Sequence, residues 1–411
     1  MSIGAVSAEA CAEPVAPSWR GGFGRLWSAA VVSRFGDGMR NAALPLLAAS
    51  LTRSPLLVSL VTAAGYVPWI VFGLLGGALA DRIDQRRAMR TVDAVRALLT
   101  GAFALAVGLG HASIGLLLAL AFSLTTLQTL FDNAATALLP AVVPRSVLGR
   151  ANARLMTGQT IAGTFLAAPL VPAALALAAG APFAADAATF AVAAALVASL
   201  PGPATARPPR PAGRTLRQDI VEGVALLWRD RVLRGLCAAC TVANIGVGVL
   251  VATLVLTVTG WLHAGHAAYA ATLTAYGVGS VVGGVVAGRM PSALAGVRAL
   301  PVTLAVQTGC LVVLGTVRAL PAAIAAMAVF GALGAVWNVT SVTLFQQRAP
   351  EGTLGRISAA NRTLSVAGAS LGALLGGAVA TAWGLNAPPL LAAALFGCAV
   401  AVLIPALAVA D

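Results

Sequence analysis

Charged side chains recur inside stretches of this sequence that are otherwise apolar, and their spacing is regular. In SRFGDGMRNAALPLL, Arg34, Asp37 and Arg40 stand at i, i+3 and i+6, and Asn41 follows Asp37 by four. That spacing puts successive members on adjacent parts of one helical face. A later apolar stretch carries Gln128, Asp132 and Asn133, and another carries Asp93 and Arg96 three residues apart near its start. Ionisable groups in an apolar run are costly and are found paired or facing a water-filled cavity. A carboxyl so placed can hold a helix through a static ion pair. It can also bind and release a proton as its surroundings change, because burial and neighbouring arginines act on it in opposite directions.

Other chemistries are poorly served. His111, His263 and His266 fall at the ends of apolar runs, and the pair at 263 and 266 has no nearby carboxylate to complete a metal site. Cys237 and Cys240 lie in an apolar run without companion ligands and read as packing. A phosphate loop ending in Gly-Lys-Ser/Thr is impossible, since every basic residue is arginine. GVGSVVGG at 277–284 lies within an apolar run with no strand before it, so it is not a nucleotide fingerprint. We therefore expect no enzyme, no metal and no bound cofactor. Any uphill work must draw on a gradient such as that of protons.

The elements that position these charges follow from composition. The chain is 59% hydrophobic and 9% charged, whereas a soluble domain carries about 25% charged residues. Twelve apolar runs, near 27–51, 55–80, 91–110, 112–140, 155–180, 182–200, 235–262, 267–288, 299–317, 319–345, 364–384 and 387–410, each approach the roughly 20 residues a membrane span needs. The formal charge of +13 comes from arginines lying between these runs, which argues against nucleic acid as a partner. They alternate: arginines cluster after the second, fourth, sixth, eighth and tenth runs, while the other loops hold only Arg53 and Arg318. By the positive-inside rule both termini are cytoplasmic, and a cytoplasmic-membrane location is expected. Residues 1–20 lack an apolar signal core and read as a disordered cytoplasmic tail.

The chain also repeats itself. PRSVLGRANARLMT, with Pro144, Leu148, Gly149, Arg150 and Thr157, matches Pro350, Leu354, Gly355, Arg356 and Thr363 about half a chain later. Gly76, Gly77, Ala80 and Arg82 are echoed at nearly the same offset by Gly283, Gly284, Ala287 and Arg289. Two copies with an even number of spans are parallel repeats, related by an axis along the membrane normal. The expected organisation is a six-helix bundle over 21–200, a Pro- and Arg-rich cytoplasmic linker with an amphipathic helix over 201–233, and a second six-helix bundle over 234–411. The fold class is thus all-α and integral to the membrane: twelve transmembrane helices in two pseudo-symmetric bundles around a central cavity.

These features resemble the major facilitator superfamily. The loop after the second run, GGALADRIDQRR, matches that family's signature at Gly77, Leu79, Ala80, Asp81, Arg82 and Arg86, with Asp84 and Gln85 departing from it. This variant, with SRFGDGMRNAALPLL, DAATF and EGVALLW, is similar to the branch containing the enterobactin exporter and macrolide-efflux proteins. The resemblance implies proton-coupled efflux of a drug-like or secondary-metabolite small molecule by alternating access, acting as a monomer in a lipid bilayer. A siderophore exporter is the alternative within transport; a membrane sensor or membrane-embedded enzyme lies further off. In the resembled fold spans 1, 4, 7 and 10 line the cavity. This implies an Arg34–Asp132 pair, Asp37 between Arg34 and Arg40 as the proton-coupling group, and Asn41, Gln128, Asn133, Asn244, Trp337 and Asn338 as candidate substrate contacts. The resemblance further makes Gly77, Asp81, Arg82, Arg86 and Arg87 a cytoplasmic latch between spans 2 and 11, with Asp93–Arg96 as a supporting ion pair. Asp186, near the end of span 6, reads as solvated.

Overall fold

The computed structural model describes residues 22–70, 84–143, 148–200, 230–289, 299–348 and 354–407, together with 225 and 228. Within them every regular element is a helix, joined by short turns. The first half contributes α1 (Gly22–Leu51), α2 (Pro55–Ala64), α3 (Gln85–Gly108), α4 (Ile114–Val142), α5 (Leu148–Thr160, Ile161–Leu166 and Ala167–Leu177 in continuous succession) and α6 (Ala181–Ala198). The second half contributes α7 (Arg231–Leu256, prolonged by Thr257–Trp261), α8 (His266–Arg289), α9 (Ala299–Thr316), α10 (Leu320–Arg348), α11 (Leu354–Trp383) and α12 (Ala387–Leu407).

Ten of these are long and apolar enough to cross a bilayer. The other two have identifiable reasons for standing apart. α1 holds Arg25, Arg34, Asp37 and Arg40, and the apolar helix at α2 is described only over Pro55–Ile70. Large apolar side chains point outward, among them Leu98 (74% exposed), Leu105 (64%) and Leu177 (85%). In water such a surface would be untenable, but lipid is as apolar as leucine.

Helix ends follow local chemistry. Asp84 accepts hydrogen bonds from the backbone N–H groups of Arg86 and Arg87, and Asp230 does the same for Val232 and Leu233. Both are side-chain N-caps, typically worth about 1 kcal/mol. The departure of Asp84 from the family signature is therefore a helix-start device. Gly110 and Gly384, at φ 78° and 93°, turn the chain after α3 and α11, where a left-handed backbone favours glycine. Pro45 lies inside α1, Pro172 inside α5 and Pro405 inside α12; neighbouring helices re-satisfy such interruptions in a membrane.

Within the halves, α1 packs on α6, α5 and α4, and α3 packs on α6 and α4; α7 packs on α11 and α12, and α8 on α10. Glycines set several of these approaches. A Cβ on Gly38 would overlap the Gly163 carbonyl, one on Gly372 the Ile245 carbonyl, and one on Gly283 the Ala332 carbonyl. Gly279 and Gly283 of GVGSVVGG are thus helix-packing positions between α8 and α10. The glycines of α11 mostly face α7: Gly368 meets Thr241 and Ile245, and Gly376 meets Val249. Gly377 faces the other half, where an added Cβ would lie 2.6 Å from that of Ser59.

The halves touch through α2 with α11 and α7, and through α5 with α8. Leu56 and Ser59 lie at the start of α2 and Gly377 near the finish of α11. This contact is therefore at the end of the molecule where α1 passes to α2, here called the distal end. The groove lined by Pro169, Pro172, Ala267 and Ala270 puts the α5–α8 contact at the same end. Nearer the proximal end, the Arg362 guanidinium of α11 sits 4.4 Å from the Trp69 ring.

Candidate functional site: a buried charge chain behind an apolar cavity

The i, i+3, i+6 pattern of α1 folds as its spacing predicts, but its partners come from three other helices. Asp37 Oδ1 accepts from Arg40 Nη2 at 2.7 Å and from Arg96 Nη2 of α3 at 3.0 Å. Arg40 Nη1 donates to Asp186 Oδ2 of α6 at 2.8 Å. Arg96 Nη1 donates to Asp93 Oδ1 at 3.2 Å. The result is an alternating chain, Asp93–Arg96–Asp37–Arg40–Asp186, across α3, α1 and α6. Asp93, Arg96 and Asp186 are fully buried, and Asp37 and Arg40 nearly so. Phe190 of α6 seals it, its ring 3.9 Å from the Arg96 guanidinium and 5.9 Å from that of Arg40.

A second, wetter arm branches from Asp37. Arg34 Nη1 lies 3.9 Å from Asp37 Oδ2, and Arg34 Nη2 lies 3.9 Å from Asp132 Oδ1. The Arg34 and Asp132 side chains keep 36% and 31% of their surface exposed. Gln128 joins the two arms: its Nε2 donates to Asp132 Oδ1 at 2.7 Å, and its Oε1 accepts from Arg96 Nη2. The backbone of α5 bulges here. Ile161–Leu166 forms a π-helical turn, and a Cβ on Gly163 within it would lie 2.9 Å from the Arg34 carbonyl. Turns of this kind gather at functional sites.

The structure thus brings together Arg34, Asp37, Arg40, Asp132 and Gln128. It adds Asp93 and Arg96, grouped above with the loop latch, to the intramembrane network; Arg96 reaches Asp37 directly. The reading of Asp186 as solvated is corrected: it has no exposed surface and is paired to Arg40. The misleading signal was its distance from the helix end. The useful one was that an acid in an apolar helix needs a partner, and Arg40 was the base of α1 left without a second one.

Beside the chain lies a cavity of about 280 Å³ where the halves meet. Gly38, Asn41, Ala42 and Pro45 of α1 line it, with Gly163 and Ala168 of α5, Val247, Leu250, Val251 and Leu254 of α7, Tyr269, Leu273 and Tyr276 of α8, and Met327 and Phe330 of α10. None of these side chains is charged. Of the expected substrate contacts only Asn41 is in this lining. Asn244 donates to the Cys240 carbonyl one turn back, Trp337 packs on the core, and Asn338 is exposed. Asn133 lies in α4, but its side chain is outside the described residues.

Of the latch residues, Gly77, Asp81 and Arg82 lie outside the described residues, as do the loop positions of the internal repeat from Pro144 and from Pro350 and most of the linker. Arg86 and Arg87 are described. Arg86 donates to the Val197 and Ala198 carbonyls at 3.5 and 3.3 Å, holding the end of α6. Exposed Arg87 makes a 3.6 Å contact with Asp84.

A helical protein with repeated apolar spans, buried intramembrane ion pairs and a cavity between two halves is a multi-pass membrane transporter. Residues 26–373 match the model of the Major Facilitator Superfamily, and the chain belongs to that family. It is 26% identical over 363 residues to an uncharacterized MFS-type transporter, y4rN, of Sinorhizobium fredii, covering 86% of this chain and 87% of that one. Its fold is shared with a variant of the nucleoside transporter NupG (TM-score 0.77, 10% identity, covering 94% of this chain and 99% of that one). It is shared too with a bacterial homologue of the iron transporter ferroportin in an inward-facing state (TM-score 0.73, 13% identity, 94% and 98% covered).

Proposed function

We propose that the chain is a proton-coupled exporter of an uncharged, drug-like or secondary-metabolite molecule, working by alternating access in the cytoplasmic membrane. The observation that carries this reading is that α1 separates two unlike compartments. Its Gly38–Asn41–Pro45 side lines an apolar cavity, and its Asp37 and Arg40 side enters a buried charge chain. An apolar lining with one amide anchor and tyrosine hydroxyls suits a lipophilic guest bearing a hydrogen-bonding group. The arginine alternation supports a cytoplasmic proximal end, and with that orientation the distal contacts of α2–α11 and α5–α8 lie at the outer side. The sequence likeness to the enterobactin-exporter and macrolide-efflux branch supports the outward direction. Asp37, with Arg34, Arg40 and Asp132, forms the coupling element, because any rearrangement of α1 against α4 must rebuild these pairs. Purified chain in vesicles loaded with a pH-sensitive dye tests this. A macrolide or an uncharged aromatic dye should drive proton movement that Asp37→Asn abolishes. Intact proton movement in Asp37→Asn, or none in the unmodified chain across both probes, refutes the reading.

A further inference from the structure

The buried chain does not balance. Asp93, Asp37 and Asp186 face Arg96 and Arg40, so three carboxylates meet two guanidinium groups in a site closed to water. Among the described residues the wetter arm adds Arg34 and Asp132, which stand outside the sealed chain and do not alter its count. An uncompensated charge costs several kcal/mol to bury even after relaxation, whereas a neutral carboxylic acid avoids that cost.

The two ends of the chain are the places where a proton could sit. Central Asp37 shares its charge with Arg40, Arg96 and, at longer range, Arg34. Each terminal acid has a single arginine and one buried oxygen without a hydrogen-bond partner, Asp93 Oδ2 and Asp186 Oδ1. Geometry separates these two. Arg40 reaches Asp186 at 2.8 Å. Arg96 stands 3.2 Å from Asp93, divides its donors among Asp93, Asp37 and Gln128, and leaves its Nε unpartnered. Asp93 is therefore the acid whose negative charge is least compensated. The charged groups facing it are Arg96 of its own helix, Asp37 from α1 and Asp186 from α6, with Gln128 of α4 and the Phe190 ring of α6 against the Arg96 guanidinium.

We propose that the coupling proton is carried on Asp93, behind the cavity wall, rather than on Asp37. This deepens the proton-coupled reading above and rests on it. The step is a simple protonation: Asp93 carboxylate takes a proton from water as an O–H bond forms, and releases it when that bond breaks. Gln128 controls the exchange, because it stands between the sealed Arg96–Asp93 pair and the partly exposed Asp132. Movement of α4 that withdraws Gln128 opens Asp93 to the water that reaches Asp132. Substrate-cavity changes and proton release are then linked through α1 and α4.

Infrared spectroscopy of the purified full chain at neutral pH reads the proton directly. The expected result is a carboxylic-acid C=O band, sensitive to deuterium exchange, that changes position in Asp93→Glu and not in Asp37→Glu or Asp186→Glu. A band that instead follows Asp186→Glu or Asp37→Glu overturns the assignment while leaving proton coupling itself standing. Absence of any such band overturns the bound proton. Should Asp93→Glu not fold, Asp186→Asn serves in its place. The chain then balances without a proton, and the band should vanish; a band of undiminished strength overturns the charge argument. The vesicle assay judges coupling separately, so failure of the two readings is distinguishable.

Discussion

Asp186→Ala separates the buried reading of span 6 from the solvated one. In the structure Asp186 Oδ2 takes a charged hydrogen bond of 2.8 Å from Arg40, and neither residue reaches solvent appreciably. Charged hydrogen bonds contribute about 1.5–3 kcal/mol, and breaking a buried pair by removing one partner costs about 3–5 kcal/mol. Arg40 keeps Asp37 at 2.7 Å, so it is not stranded, and the lower range applies: about 1.5–3 kcal/mol. Asp186→Asn keeps an acceptor for Arg40 and should cost roughly half as much or less. Arg87→Ala is the control, since its contact with Asp84 is exposed and exposed pairs contribute about 0–1 kcal/mol. The assay is equilibrium unfolding in mixed detergent micelles, followed by loss of helical signal, with all three variants in parallel. If Asp186→Ala costs no more than Arg87→Ala, Asp186 is solvated and the chain does not extend to α6.

Three further outcomes follow from the described contacts, and a fourth from the loop sequence at Asp81. Gly163→Leu must push α5 off α1 at Arg34, and overpacking of this kind costs about 1–3 kcal/mol; unchanged unfolding in micelles would show that the close approach is not there. Gly377→Leu should part α2 from α11, so that Ser59→Cys, buried in the parent, becomes reactive to a thiol reagent when Cys11, Cys310 and exposed Cys398 are removed from the background. Asn41→Leu should raise the half-saturating concentration of a hydrogen-bonding probe about fivefold to tenfold, the equivalent of one hydrogen bond of about 1 kcal/mol, with little change for a probe lacking such a group. Asp81→Asn should abolish transport or shift the balance of open states while membrane insertion is retained, and undiminished transport would reduce that loop to a topology signal.

The helices were legible because lipid imposes a simple rule. Each span must be long, apolar and internally hydrogen-bonded, and every run from 27–51 to 387–410 has its counterpart helix. The Arg34–Asp37–Arg40 face was legible because a helix repeats on itself, so sequence spacing is spatial spacing. Partners on other helices were not, apart from the Arg34–Asp132 contact that family resemblance supplied. Nothing in the spacing of Asp186 or Arg96 says which neighbour its helix will meet. The glycines show the same limit. Gly368, Gly372 and Gly376, four residues apart in α11, permit a close approach, but whether α7 or α2 arrives depends on tertiary packing, and Gly376 and Gly377, adjacent in sequence, meet different helices. The substrate candidates fared least well, since a lone Asn or Trp in a span looks alike whether it lines a cavity or, like Asn244, bonds its own helix.

α1 ties these observations into one mechanism. Asp37 and Arg40 enter the charge chain while Gly38, Asn41 and Pro45 face the cavity, so the two sets occupy adjoining faces of one helix. A turn of α1 that reshapes the cavity must displace Asp37 from Arg96 or Arg40, because side chains of one helix move together. The glycines on its flank set how freely it can do so: Gly36 lies against Asp186 and Thr189, and Gly38 against Gly163. Ion pairs at 2.7–3.2 Å lose much of their energy if parted by even an ångström or two without replacement in a low-dielectric site. Such a helix has a few discrete seats rather than a continuum. Under the proposed proton-coupled reading, a proton that neutralises one acid of the chain lowers the cost of leaving a seat, and a guest in the cavity changes which seat is best. Coupling of the kind proposed would then need no contact between proton and substrate, only one rigid helix that both of them bias.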